Sequence, residues 1–329
     1  MTLTPLDLPS PSVSQFQLGP LTVHIYALCL LTGIFFGAWL GEKRALARGA
    51  NREMFENTVL VAVLIGIIGA RLYHVVTDHQ LYFGPNAPNR PIDALKIWNG
   101  GLGIWGAVLA GALAVWFMSN KYRFDFGSFA DIMAPGLIFA QGIGRLGNWF
   151  NQELFGRPTT LPWGLEIDLA HRPAGYESYA TFHPTFLYEL IWDVAGGFVL
   201  LWAEKRFKLG HGRLFAGYVM YYCFGRFFVE SLRIDPANHV GGFRINNYVS
   251  VIVFLIGLAV FARLSRTHPG VASQPFGPAE GRSVGQPETG GIGGGDQHEI
   301  DPAADHSMAV TPTDNPEPHN RGAGDVPDA

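Results

Sequence analysis

The sequence predicts an all-α polytopic membrane protein: seven transmembrane helices, N-terminus outside, C-terminus cytoplasmic, and a small extracytoplasmic head region. Three observations predict it. The 329 residues are 48% hydrophobic and only 15% charged. The apolar residues gather in blocks about 20 long, and a helix rising about 1.5 Å per residue needs that length to cross roughly 30 Å of hydrocarbon. The lysines and arginines of the short loops fall on alternate sides, as the positive-inside bias requires.

The blocks run over 22–41, 56–76, 102–119, 128–147, 184–203, 213–232 and 245–264. The first, second and seventh are plain apolar runs. The fourth, fifth and sixth carry ionisable residues, so hydropathy alone would miss one of them. Lys43, Arg44, Arg48 and Arg52 follow the first block, Lys121 and Arg123 the third, and Lys205, Arg206, Lys208 and Arg213 the fifth. These loops are expected on the cytoplasmic side. Residues 1–21 hold no Lys or Arg and read as an extracytoplasmic N-terminal segment. Cys29 and Cys223 both lie inside blocks and read as small buried apolar residues rather than a disulfide. "YALC" ahead of Cys29 has a bulky Leu28 where a lipoprotein cleavage site needs a small residue, so no cleaved signal is expected. Residues 266–329 form a separate compositional class, about one-third Gly plus Pro and strongly acidic. Such a segment cannot bury enough apolar surface to offset its ordering entropy, so it reads as a disordered cytoplasmic tail. The seven-helix domain is thus 22–265, with its head at about 150–183.

Charges inside a bilayer are costly, about 2.5–3.5 kcal/mol each on insertion scales, and persist where they have work to do. Arg71, Asp131, Arg145, Glu189, Asp193, Arg226 and Glu230 fall within the blocks. At about 100° per residue, Gln141, Arg145, Asn148 and Gln152 form one stripe, and so do Tyr222, Arg226, Glu230 and Arg233. Thr185, Glu189 and Asp193 follow each other at i, i+4. Converging, these three faces would enclose a cavity near the outer leaflet, lined by arginines and carboxylates. Each residue alone has a plain reading, such as an Arg226–Glu230 pair that neutralises itself. Three aligned faces favour a site. Arginine forks suit phosphate oxygens, and the phosphate at that depth is a lipid headgroup. The small residues in "NGGLGIWGAVLAGALA", "GIIGA" and "GIGRLG" read mainly as close helix packing.

With those residues in view, the chain resembles the bacterial prolipoprotein diacylglyceryl transferase family over roughly Gly19 to Leu264. "GRLGNWFNQELFGR" (144–157) looks like the family signature, and "HPTFLYE" (183–189) like its second motif. "GRFFVESLR" (225–233), with Tyr222 ahead of it, looks like the third, and "GPLTVHIYAL" (19–28) resembles the family's start. The resemblance implies transfer of a diacylglyceryl group from phosphatidylglycerol to the lipobox cysteine thiol of a preprolipoprotein signal peptide. A thioether forms and glycerol 1-phosphate leaves, in the bacterial plasma membrane. It implies no metal, no organic cofactor and no nucleic-acid partner.

Carried over by position, Arg145 and Arg226 match essential arginines, and Asn148, Gly156 and Glu230 match other residues needed for activity. Tyr26, Glu153, Glu189, Tyr222 and Arg233 match residues that line or support the site. The expected division gives the phosphate to Arg145 and the leaving group to Arg226, or the reverse, with Glu230 orienting Arg226. Asn148 would donate to headgroup oxygens, Tyr26 and Tyr222 would orient, and Glu189 is the candidate base, acting through water. One departure stands out. Many members carry a histidine, cast as the thiol's base, where this chain has Trp105, which cannot accept a proton. Either another residue is the base or none is needed. A phospholipid-binding transporter or flippase, which would share the arginine cavity without a thiol acceptor, is the alternative.

Overall fold

The computed structural model describes residues 7–19, 21–272 and 275–276. It is mostly helical, with α1 (Ile25–Leu46), α2 (Arg52–Thr77), α3 (Ile104–Tyr122), α4 (Phe126–Asn151), α5 (Thr185–Phe207), α6 (Arg213–Leu232) and α7 (Ile245–Thr267). All but α6 are long and apolar enough to cross a membrane, so the chain is a multi-pass membrane protein. Helix α6 is long enough but is diluted by Arg213, Arg226 and Glu230. Large apolar side chains stay exposed on the outer helix faces, among them Phe35, Leu64, Ile68 and Leu255. In water this would be a liability; against lipid it is the expected surface.

The helices start and stop for local reasons. Asn51 caps α2 by accepting from the Met54 amide at 3.3 Å, and Asp125 caps α4 by accepting from the Ser128 amide at 2.6 Å. The first helix begins at Ile25 instead of Thr22, because Leu21–His24 (β2) pairs antiparallel with Gln15–Leu18 (β1). Gly19, at φ +62°, makes the reversal between them.

Two glycine seams hold the bundle together. A Cβ added to Gly33 would lie 2.7 Å from the Ala140 carbonyl oxygen, and one on Gly136 would lie 2.6 Å from that of Gly37. Helices α1 and α4 therefore touch backbone to backbone. Gly69 and Gly106 do the same for α2 and α3. Pro135 sits inside α4 and cannot donate to the Asp131 carbonyl. Arg44 of α1 supplies the missing donor: its Nη2 reaches that oxygen at 3.0 Å and its Nε reaches the Ile132 carbonyl at 2.9 Å.

At the end of the bundle where α1 begins, the segment around 150–183 forms a small head. A two-residue pair, β3 (Leu165–Glu166) and β4 (Thr181–Phe182), backs a cluster of Phe155, Leu165, Ile167, Phe182 and Phe186. The N-terminal segment belongs to this head: Leu8 bridges Leu165, and Trp149 Nε1 donates to the Pro9 carbonyl at 3.2 Å. Before α7, β5 (His239–Val240) and β6 (Phe243–Arg244) form a short hairpin.

At the opposite end the chain does not leave the bundle after α7. Arg213 Nη2 donates to the Gly270 carbonyl at 2.5 Å, and the Asp125 amide donates to the Pro275 carbonyl at 2.9 Å. Phe276 is 9% exposed and packs with Phe124, Phe129 and Phe55. Gly270 thus meets the start of α6, and residues 275–276 meet the α3–α4 turn. The rest of the expected disordered tail lies outside the described residues.

Candidate active site

The polar stripe of α4 reaches the head end and spreads. Gln141 accepts from the Tyr218 hydroxyl at 3.0 Å. One turn later Arg145 points between α5 and α6. Asn148 is buried and donates from Nδ2 to Glu153 at 2.9 Å. Gln152 is buried and exchanges two hydrogen bonds with Asp168, at 2.6 and 2.8 Å. Gln152 and Leu154 both adopt left-handed backbone, at φ +50° and +59°. Two such non-glycine residues this close together store strain, and the side-chain bonds of Gln152 and the Thr185 Oγ1 bond to the Leu154 carbonyl hold them there.

The three predicted polar faces meet around Glu189. Its Oε1 accepts from Arg226 Nη1 at 2.6 Å, and its Oε2 lies 2.7 Å from Arg145 Nε. The second contact is a charge contact only, because the Arg145 N–H does not point along it. Arg145 Nη2 also reaches the Tyr222 hydroxyl at 3.4 Å. Arg226 Nη2 lies 2.6 Å from Glu230, one turn further along α6. Glu230 therefore stands as a charge partner beside the Arg226 guanidinium. Glu189, the candidate base, bridges two guanidinium groups, one at each oxygen. Counting helix residues, Arg145, Glu189 and Arg226 all lie within about 9 Å of their helix ends at the head side.

Glu230 is the most buried member, with its side chain fully enclosed. Arg244 Nε donates to it at 2.7 Å and Asn246 Nδ2 at 2.9 Å, while Arg233 Nη1 stands at 3.6 Å. Asp235 closes the set by accepting from Arg233 at 2.7 Å and Arg244 at 2.9 Å. Burial alone would raise the Asp235 carboxyl, but these two arginines hold it below the usual range. Sequence reasoning missed Arg244 and Asp235. The signal was there: an apolar helix that opens on Arg-Ile-Asn-Asn needs a polar partner for its first turn.

The other site candidates support this core. Tyr26, in the first turn of α1, lies against Gly147, where an added Cβ would come within 2.3 Å of its ring. Gly156 is buried where three segments cross: its amide donates to the His183 carbonyl at 2.9 Å, and a Cβ there would meet His183 at 2.8 Å. Its smallness is needed for packing. Trp105 stands half-exposed on the first turn of α3.

Two of the membrane charges do structural work elsewhere. Arg71 is buried and donates to the carbonyls of Asp93, Ala94, Gly100 and Gly101 at 2.5–2.9 Å, pinning the α2–α3 connection. Asp131 accepts from the Gly212 and Phe215 amides, both at 2.8 Å, and so caps α6 at the far end. Asp193 stays beside the cluster, one turn past Glu189, 1% exposed and with Oδ2 unpartnered among the described residues.

The model of the family described as prolipoprotein diacylglyceryl transferase matches residues 14–263. Among curated proteins, the phosphatidylglycerol–prolipoprotein diacylglyceryl transferase of Cutibacterium acnes is 57% identical over 263 residues, covering 80% of this chain and 88% of that protein. A second enzyme of that name from Streptomyces coelicolor is 52% identical, covering 80% of this chain and 83% of its own. The one from Corynebacterium efficiens is 49% identical, covering 80% and 84%. The match spans every residue of the arginine–carboxylate cluster, and on that extent and identity the chain belongs to the prolipoprotein diacylglyceryl transferase family.

Proposed function

We infer that this protein transfers the diacylglyceryl group of phosphatidylglycerol to the thiol of a preprolipoprotein's lipobox cysteine. A C–S thioether bond forms, the glycerol C–O bond to phosphate breaks, and glycerol 1-phosphate departs. One observation carries the reading at this site: Arg145 and Arg226, from separate helices, converge on a single carboxylate near the head end of the bundle. A pair of guanidinium groups spaced to share one anion is spaced to share the two free oxygens of a phosphodiester.

In this reading all seven helices span the bacterial plasma membrane, with the head and the cluster outside. The lysines and arginines at the 46–52, 122–126 and 207–213 turns support that orientation. Helix α6 tolerates Arg226 and Glu230 because Glu189 of α5 and Arg244, just ahead of α7, supply their counter-ions.

Arg145 and Arg226 bind the phosphodiester and neutralise charge that grows on the leaving phosphate; removing such a group costs on the order of 10²–10³ in rate. Glu230, locked by Arg244 and Asn246, sets the Arg226 guanidinium plane. Tyr222 steadies Arg145, and Tyr26 and Asn148 flank the headgroup. Arg233 and Glu153 hold Glu230 and Asn148 in turn, and Gly156 lets the head approach the helix ends. A cysteine thiol with a pKa of about 8.5 is already a few per cent thiolate near neutral pH, and the arginine field raises that share. The preprolipoprotein cysteine needs no dedicated base at the Trp105 position.

The test uses purified protein, phosphatidylglycerol and a lipobox peptide, with the adduct read by mass. Thioether product that disappears in Arg226→Ala supports the reading. Lipid flipping without adduct would instead make this a phospholipid transporter.

A further inference from the structure

We propose that Glu189 is a displaceable internal anion that occupies, in the lipid-free protein, the place of the headgroup phosphate, and that phosphatidylglycerol binds by exchanging its phosphodiester for this carboxylate. The proposal rests on the arginine pair being the phosphate site.

The two acids of the cluster are built differently. Glu230 is fully enclosed and engaged by Arg226, Arg233, Arg244 and Asn246, so it cannot leave. Glu189 keeps 10% of its side-chain exposure, and its partners among the described residues are the two arginines alone. One of those contacts is misaligned: Arg145 Nε lies at 2.7 Å but its N–H points off the carboxylate. Glu230 Oε2 is likewise off the N–H line of Arg226 Nη2, so what separates the two acids is enclosure and partner number: Glu230 is fully enclosed with four partners, Glu189 partly open with two.

The exchange also balances in charge. A carboxylate and a phosphodiester each carry one negative charge on two equivalent oxygens, so replacing one by the other leaves the buried charge unchanged. Exchange then avoids the cost of burying an additional ion. The direction of release follows from the neighbours. Asp193 lies one turn deeper on α5, 1% exposed and packed at Gly142, so the inner side of Glu189 is already filled. Towards the helix start, the positive N-terminal end of α5 at Thr185 favours a carboxylate. Glu189 therefore swings outward as the phosphate seats.

Such an internal anion keeps the arginine pair ordered and offsets one of its two positive charges when no lipid is bound. It also sets a threshold: only a headgroup carrying its own anion can take the place.

The experiment compares wild type with Glu189→Gln, full-length, in phosphate-free nonionic detergent micelles holding graded phosphatidylglycerol. Glu189→Gln lowers the KM for phosphatidylglycerol about tenfold, while binding of uncharged diacylglycerol is unchanged. Its thermal midpoint falls below wild type without phosphatidylglycerol and rises more steeply when it is added. A KM that is unchanged or raised, with no larger lipid-dependent thermal shift, overturns the exchange. Should Glu189→Gln fail to fold, Glu189→Asp is measured instead; its carboxylate is one methylene too short to bridge both arginines, and the same direction is expected. Arg145→Ala and Arg226→Ala separate the two claims. If they bind and turn over phosphatidylglycerol normally, the phosphate site itself is wrong. If they fail but Glu189→Gln gains nothing, the site stands and the exchange falls.

Discussion

Replacing Glu230 by Gln changes almost no volume and removes one negative charge from the most enclosed point of the cluster. Three guanidinium groups lean on that carboxylate: Arg244 at 2.7 Å, Arg226 at 2.6 Å and Arg233 at 3.6 Å. An amide can accept at one oxygen only, and its NH2 would face an arginine N–H. Arg233 and Arg244 keep Asp235 as an anion, and Arg226 keeps Glu189. The loss is therefore partial. Breaking a buried pair by removing one partner costs about 3–5 kcal/mol, and the remaining anions place this variant at the low end, about 3 kcal/mol. Arg226 also loses its orienting partner, so transfer falls by about a hundredfold. The assay pairs thermal unfolding in detergent with adduct formation on a lipobox peptide. Glu56→Gln is the control; Glu56 is 59% exposed and 4.0 Å from Arg52, so its loss stays within about 0.5 kcal/mol. A Glu230→Gln protein within about 1 kcal/mol of wild type, turning over normally, would show that the cluster is not held by this carboxylate.

Three further outcomes are expected. Gly147→Ala places a Cβ 2.3 Å from the Tyr26 ring and 3.1 Å from its Cα, so α1 itself must shift; a cost of about 1–3 kcal/mol and reduced transfer are expected, read by unfolding and by adduct yield. Phe276→Ala empties the aromatic cluster at the far end and costs about 3 kcal/mol in a denaturation series, whereas no change would mean the tail is not anchored there. Burial, and then the nearby Arg157 charge, push the His183 imidazole below its ordinary value. The folded state prefers it neutral while the unfolded chain takes up a proton below about pH 6.5. Stability therefore falls as pH drops through that value and levels off below the folded pKa; a thermal series from pH 7.5 to 5 shows this slope in wild type and a shallower one in His183→Asn.

Much of the site was legible because helical periodicity is local. Spacing alone placed Arg145, Glu189 and Arg226 on polar faces of three helices, and an amphipathic helix in lipid has little choice about which way such a face turns. What spacing could not supply was the pairing. Arg71 and Asp131 look equally costly in the sequence, yet one pins a loop through backbone carbonyls and the other caps a helix. Glu189 reads as a free acid until two arginines are seen across it. Arg244 reads as a loop charge until the β5–β6 hairpin turns it inward.

The boundaries show the same division. Asn51 and Asp125 act on amides three residues away, so those helix starts are written in the chain. The start of α1 is not, because Leu21–His24 has the apolar content of a helix and becomes a strand only by pairing with Gln15–Leu18. The acidic tail is similar: its composition lacks the apolar surface for a core of its own, but a single Phe276 finds one already built by α2 and α4.

That this chain lives in a membrane, passes through it more than once, and carries certain residues too polar to face lipid could all be read from the amino-acid order. These follow from the cost of apolar surface in water and of charge in hydrocarbon, each a property of the residue and its near neighbours. Which charge answers which was set by how the helices pack. That choice depends on distances of a few ångströms between residues far apart in the chain, and ion-pair energy in a low-dielectric interior changes steeply over just that range.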